Sequence, residues 1–330
     1  MSRFSVIAAT SQSLSLAAME EASRFGQRET DLDHLLLALT LSTHPAGQVL
    51  RGAGVTLDAV RRALGDQRAA QLRSLGIVAG DAEGPERIRF HETGGYEWTP
   101  RAREIFARAA SGRHTGDAEA VLRELLKDQS GLIDDLLERV GTSAAEIVAR
   151  LDEVQGLALH TFPVHGEGEV CGFAEAFVPA SVDEVWSLLA DPRQMLEWDA
   201  MTARVECGAE VSIAEAGDTW FTFAPERRPD GKRLAVRERF LRRRVEVLEV
   251  DRNAVISWRF SYPDAPGSAA IRILIALHPA AGGTQLEITL AWRRSRGWRR
   301  AVGLLFRPLR RLLLWSQLAQ ISGGISRAFR

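Results

Sequence analysis

Residue types able to do chemistry are few in this chain and poorly grouped. His160 and His165 precede Cys171 at intervals that suggest a metal, but they fall among Gly166 and Gly168 and have no fourth ligand at a zinc-like spacing. No metal is expected there. Cys171 and Cys207 are the only cysteines, too few for a disulfide framework, and a reducing compartment is the default. Gly231-Lys232 is the one Gly-Lys pair and sits in a turn, so the loop that cradles nucleotide phosphates is missing. Neither a Gly-x-Ser-x-Gly elbow, a His-Glu-x-x-His helix nor a dinucleotide fingerprint occurs, and no cofactor is implied. Acid–base pairs drawn from separated strands would leave no local signature. The candidates that can be named, such as Asp199 at a helix–strand junction, read better as caps. What remains is apolar surface, and its chemistry would be binding.

That surface lies in the second half, where the period changes from helical to alternating. Residues 169–178 read as a strand ended by Pro179, and Ser181 caps a helix bearing Val182, Val185, Trp186, Leu188 and Leu189 that stops at Asp191-Pro192. Six more strands follow at about 203–213, 218–224, 233–250, 254–262, 269–278 and 284–292. Turn residues such as Pro229-Asp230-Gly231 and Asp251-Arg252-Asn253 separate them, and a last helix covers about 297–328. Ile256, Trp258 and Phe260 share one side of their strand; Leu286, Ile288, Leu290 and Trp292 share one side of theirs, and so do Phe221 and Phe223. With Trp186 and Trp198 from the short helices and Leu305 and Leu309 from the last one, these residues would wall a cavity for a flat hydrophobic ligand. Equally, they could simply fill a core, since core and cavity wall have the same pattern.

The first 150 residues write one helical pattern twice. One copy, about 4–70, runs from Phe4-Ser5 through Asp31-Leu32-Asp33-His34-Leu35-Leu36-Leu37-Ala38-Leu39 to Gly54-Val55-Thr56-Leu57. The other, about 98–154, runs from Trp98-Thr99-Pro100 through Asp117-Ala118-Glu119-Ala120-Val121-Leu122 to Gly141-Thr142-Ser143. Ser5 and Thr99 are expected to cap helices, with Pro100 at the first helical position, and Gly26 to end one. The glycine-rich stretch 74–97 reads as the loop between copies. Repeated helical units that bury their apolar faces on each other make an interaction scaffold.

The apolar fraction of 45% and charged fraction of 26% are those of a soluble globular protein with room for two domains. The net charge of −1 conceals an asymmetry: residues 1–160 sum to about −5 and the remainder to about +4. Ten arginines and no acid lie between Arg293 and Arg330. This basic amphipathic stretch could touch anionic lipid or nucleic acid, but the architecture needs a helix there, so neither partner is expected. A basic leader and an apolar run of spanning length are both absent, which places the expected location in the cytoplasm.

On the aromatic-Ser/Thr starts, the Asp-x-Asp-His-Leu-Leu-Leu-Ala-Leu core and the Gly-x-x-x-x-x-Val endings, residues 1–154 resemble the N-terminal repeat domain of Clp/Hsp100 ATPases. That family's domain is an all-α double repeat that docks adaptors and substrates, and in some members acids just before the His-Leu-Leu core bind phosphorylated arginine. Asp33 and Glu119 occupy those positions, where they are also first-turn acids favoured by a helix dipole. On Phe177-Val178-Pro179-Ala180-Ser181-Val182-Asp183-Glu184-Val185-Trp186, Leu189-Ala190-Asp191-Pro192 and Glu197-Trp198-Asp199, residues 168–330 resemble the SRPBCC superfamily of START-like and polyketide-cyclase-like proteins. The resemblance implies an α+β helix-grip fold, a seven-stranded curved antiparallel sheet around a long C-terminal helix, joined to the helical domain by a linker at 155–167.

The expected function is therefore non-enzymatic: a helical module that docks a protein, Clp-related on the resemblance, and a domain that holds a small hydrophobic molecule. A polyketide cyclase or dehydratase is the alternative, favoured by an Asp, Arg or His pair within hydrogen-bonding reach inside the cavity. An adaptor or co-chaperone in Clp protein quality control is the third.

Overall fold

The computed structural model describes residues 3–24, 26–76, 95–111, 115–154, 169–208, 213–226, 237–293 and 307–330, without the side chains of 3–6, 169–170, 293, 307–313 and 315. The proposed linker, His160 and His165 lie outside these residues. The chain divides into two compact units, Met1–Leu159 and His160–Arg330.

In the first unit each copy folds as four helices in the same order. The first gives α1 (Arg3–Arg24), α2 (Leu32–Thr40), α3 (Pro45–Gly52) and α4 (Leu57–Ser74); the second gives α5 (Pro100–Ala110), α6 (Ala118–Leu125), α7 (Leu132–Val140) and α8 (Ala144–Val154). Helix α2 is apolar almost all round, with Leu32, Leu35, Leu36, Leu37 and Leu39 fully buried, and so it forms the centre against which α1, α3, α4, α6 and α7 pack. Each such leucine contributes about 1.5–3 kcal/mol through burial. Thr99 caps α5 by accepting from Ala102 N–H at 3.3 Å, and Gly26 takes the left-handed conformation after α1 with φ 65°. Ser5, by contrast, lies inside α1, which already begins at Arg3.

A clasp ties the copies together. Strands β1 (Glu29–Thr30) and β2 (Glu97–Trp98) pair in parallel, Thr99 N–H donates to the Thr30 carbonyl at 2.9 Å, and the Thr99 hydroxyl donates to Asp31 Oδ1 at 2.7 Å. Arg101 adds an ion pair to the same carboxylate.

The second unit runs β3 (Glu169–Val178), α9 (Val182–Ala190), α10 (Met195–Trp198), β4 (Arg204–Glu206), β5 (Thr219–Phe223), β6 (Arg242–Asp251), β7 (Val255–Ser261), β8 (Ile271–Ala280), β9 (Gly283–Arg293) and α11 (Arg307–Ala328). The strands form one antiparallel sheet in the order β3-β9-β8-β7-β6-β5-β4. A bulge between Val247 and Glu249 bends β6. Helix α9 is closed by a capping box, the Ser181 hydroxyl meeting Glu184 N–H while Glu184 accepts from Ser181 N–H at 2.8 Å. Leu314, Leu318, Ile321 and Ile325 of α11 face the sheet. This is an antiparallel seven-stranded sheet domain of helix-grip type. Of the strand expected over 233–250, residues 233–236 lie outside the described residues, Glu238–Phe240 form a 3-10 turn, Ala224 N–H closes onto the Leu241 carbonyl at 2.8 Å, and the strand runs from Arg242.

Two glycines let α11 come close. A Cβ on Gly172 would lie 1.4 Å from Leu314 Cδ2, and one on Gly324 would lie 2.0 Å from the Trp198 carbonyl oxygen. Contact of α11 with β3 and α10 requires hydrogen at both positions.

Candidate ligand cavity between the sheet and the last helix

The sheet's inner face follows from its register. Trp220 and Thr222 of β5 are buried, opposite Val245 and Arg243 of β6, and the face continues through Val247, Ile256, Trp258 and Phe260 to Ile273, Ile275 and Leu290. Most of this face is solid core. Ile256, Trp258 and Ile288 are fully buried and are not among the residues lining the cavity described next, and the Trp198 and Trp258 rings pack at 5.6 Å between centroids.

At one end the packing opens into a cavity of about 110 Å³. Trp198, Phe260, Ile271, Ile273, Leu290 and Ile321 wall it, while Met201, Tyr262, Gln317 and Gln320 stand with them around it. Its polar feature is Arg243, whose side chain is 8% exposed and whose inward phase follows from Val245 and Val247 on the same strand. Arg243 Nη2 donates to Asp199 Oδ2 at 2.5 Å and to Thr202 Oγ1 at 2.6 Å, and Nε donates to Thr222 Oγ1 at 3.2 Å. The guanidinium carbon lies 5.2 Å from the Phe260 ring centroid. Nη1 has no acceptor among the described residues.

Asp199 does cap, accepting from Met201 N–H at 3.1 Å and from the Thr202 hydroxyl at 2.7 Å. It is also the counter-charge of Arg243, which the sequence reading missed. A buried pair of this kind persists because removing either partner would strand a charge in a medium that solvates it poorly.

Of the residues expected to wall the cavity, Trp198, Phe260 and Leu290 do so. Phe221 and Phe223 do not, and this is a correction. They take the opposite phase from Trp220 and lie half-buried on the outer face, with Arg242 4.7 Å above the Phe221 centroid and Arg204 3.8 Å above that of Phe223. Trp186 belongs instead to a separate groove of about 380 Å³ with Ala190, Ile213 and Val250. Trp292 is half-buried beside the core. Leu305 lies outside the described residues, as does the side chain of Leu309.

In the helical unit Asp33 and Glu119 stand in the first turns of α2 and α6, each already paired. Asp33 Oδ1 is 2.9 Å from His34 Nδ1 and Oδ2 is 3.6 Å from Arg68. Burial pushes the Asp33 carboxyl up, but the hydrogen bond and charge of His34, with help from Arg68, hold it below the usual aspartate value. Glu119 accepts from Arg123 at 2.9 and 3.0 Å, and Arg123 also reaches Asp152 at 2.7 Å. Among the described residues no group of three metal-binding side chains occurs, and no helix is long and apolar enough to cross a membrane.

A family model described as polyketide cyclase / dehydrase and lipid transport matches residues 174–313. Similar solved structures include the di-domain ARO/CYC StfQ of the steffimycin biosynthetic pathway, at 14% identity over 62% of this chain and 60% of that one, with a TM-score of 0.36. A truncated norcoclaurine synthase from Thalictrum flavum is 12% identical over 50% and 96% of the two chains, TM-score 0.35. A protein from Chromobacterium violaceum is 17% identical over 47% and 96%, TM-score 0.31. No curated protein matches the chain. Residues 174–313 are thus similar to a polyketide-cyclase-like family.

Proposed function

We propose that residues 168–330 bind a small, mainly apolar molecule bearing one polar group, and that residues 1–154 dock a protein. The observation that supports the first part most is the 110 Å³ cavity, with apolar side chains on most of its wall, the charge-compensated Arg243–Asp199 pair, and the neutral polar groups of Tyr262, Gln317 and Gln320 around it. An apolar cavity of roughly 150 Å³ is enough for benzene, whereas sites that enclose a drug-sized ligand run to about 300–1,000 Å³. At 110 Å³ the cavity is smaller than either and would take a branched chain end or part of a single ring, the rest of the ligand extending past Met201 and Gln317. Native mass spectrometry of the chain purified from its own host is expected to reveal a bound small molecule. An empty protein, together with no thermal shift on adding single-ring aromatics, would remove this reading.

The docking role rests on the duplicated four-helix units and on their resemblance to Clp repeats. Pull-down from the host is expected to recover a Clp ATPase or protease subunit; recovery of neither removes that part.

A second reading, catalysis, is favoured by the Asp199–Arg243 pair. A guanidinium N–H can polarise a ligand carbonyl while the adjacent carboxylate takes a proton from the neighbouring carbon, the opening step of a cyclisation or dehydration. Accelerated exchange of the methyl protons of acetophenone in deuterated water, lost in Asp199→Asn, would replace the binding reading with this one. Three donors already occupy Asp199, so no acceleration is expected.

A further inference from the structure

We infer that this cavity selects a neutral hydrogen-bond acceptor, the carbonyl of a ketone, ester or amide on a single-ring or branched apolar group, and discriminates against a carboxylate. The inference rests on the reading of the cavity as a ligand site and specifies what that site takes. Three observations carry it.

The first is an available donor. Nε and Nη2 of Arg243 are committed to Thr222, Thr202 and Asp199, and Nη1 has no acceptor among the described residues although the side chain lines the cavity. A ligand placing its acceptor there gains a charge-assisted hydrogen bond without displacing a protein contact.

The second is charge balance. Asp199 Oδ2 sits 2.5 Å from Nη2, with both side chains nearly buried, so the pair presents a donor but no net charge. A carboxylate entering the site would be stripped of water and meet a guanidinium already neutralised, while standing close to a second carboxylate. A carbonyl loses far less solvation and repels nothing.

The third is the wall. Phe260 carries the guanidinium on its face, Ile271, Ile273, Leu290 and Ile321 are apolar, and the other donors around the cavity, Tyr262, Gln317 and Gln320, are neutral, so the described lining offers an anion no second cation. A carbonyl needs one donor, which the site supplies.

Three probes of nearly equal shape isolate these terms: acetophenone, ethylbenzene and benzoate, titrated against the full chain by calorimetry and by the chemical shift of the Arg243 side-chain N–H. Acetophenone is expected to bind about tenfold more tightly than ethylbenzene, the worth of one hydrogen bond to a charged donor, and benzoate most weakly. Asp199→Asn uncovers the guanidinium charge, and benzoate is then expected to overtake acetophenone. Arg243→Lys keeps a cation beside Asp199 but lacks the forked geometry that leaves one donor over. There acetophenone is expected to fall to the level of ethylbenzene, with circular dichroism confirming the fold of each variant. Equal binding of acetophenone and ethylbenzene by the natural protein overturns the inference while leaving an apolar ligand site standing. Benzoate as the tightest of the three overturns the charge-balance argument. Binding of none overturns the ligand-site reading and the inference with it.

Discussion

Trp258 and Phe223 are aromatic residues on strands of one sheet, yet only one of them supports the core. Trp258 has no exposed surface and lies between Val247 and Ile273, whereas Phe223 sits half-buried outside under Arg204. Trp258→Ala is expected to cost about 3–5 kcal/mol in urea denaturation. Phe223→Ala, which loses mainly a cation–π contact, should cost about 1 kcal/mol. Equal losses would contradict the assignment of faces. The sequence could not separate the two residues, because Thr219-Trp220-Phe221-Thr222-Phe223 carries aromatics in both phases of the alternation. The discriminating signal was the partner strand, where Val245 and Val247 fix the inward phase and so turn Trp220 in and Phe221 out. The same phase turns Arg243 inward, but within the run Arg242-Arg243-Arg244 a guanidinium reads as solvated surface. Its partner Asp199 lies 44 residues upstream, a pairing that only three-dimensional register supplies.

Elements were more legible than sites, since strands and helices obey local rules. The strand at 169–178 and the helix from Val182 appear where alternation, Pro179 and the Ser181 cap put them. Boundaries slipped where no local rule applied, as at Glu238–Phe240. The adjacent glycines of α11 offer a test at this scale. A Cβ on Gly324 would strike the Trp198 carbonyl, so Gly324→Ala should force α11 from α10 and cost about 1–3 kcal/mol. A Cβ on Gly323 would meet only the end of Arg327 at 3.8 Å, so Gly323→Ala should gain about 0.5–1 kcal/mol through helix propensity. Thermal unfolding of the two variants checks this, and a loss at both would show that α11 is not held by close approach to α10. Helix α2 offers another test. The Asp33 carboxyl is lowered from its ordinary 3.8, so it contributes stability above that pH that is lost as pH falls through the folded value. In mild urea, helical ellipticity should decline below about pH 4, and Asp33→Asn should flatten that slope while lowering stability at neutral pH. An unchanged slope would remove Asp33 from the account.

At the scale of the whole molecule the decisive fact is that each unit owns its core. One buried cluster is built from residues between Leu14 and Leu151 and the other from residues between Ala176 and Ile325, with none in common. Polypeptide joined in this way unfolds in as many steps as it has cores unless an interface couples them. A ligand that binds only the native second unit then stabilises that unit alone, by about 2.7 kcal/mol at a hundredfold excess over its Kd. Seven of the eight tryptophans, all but Trp98, lie in the second unit, so fluorescence follows it while far-ultraviolet ellipticity weights the helical unit. Urea titration of the full chain with and without acetophenone should therefore move the fluorescence transition to higher urea and leave the main ellipticity transition in place. If both move together, occupancy of the cavity is felt in the helical unit, and the protein would report its ligand to whatever that unit docks. If neither moves while calorimetry still shows binding, the ligand does not prefer the native fold, and the binding is not to the cavity described above.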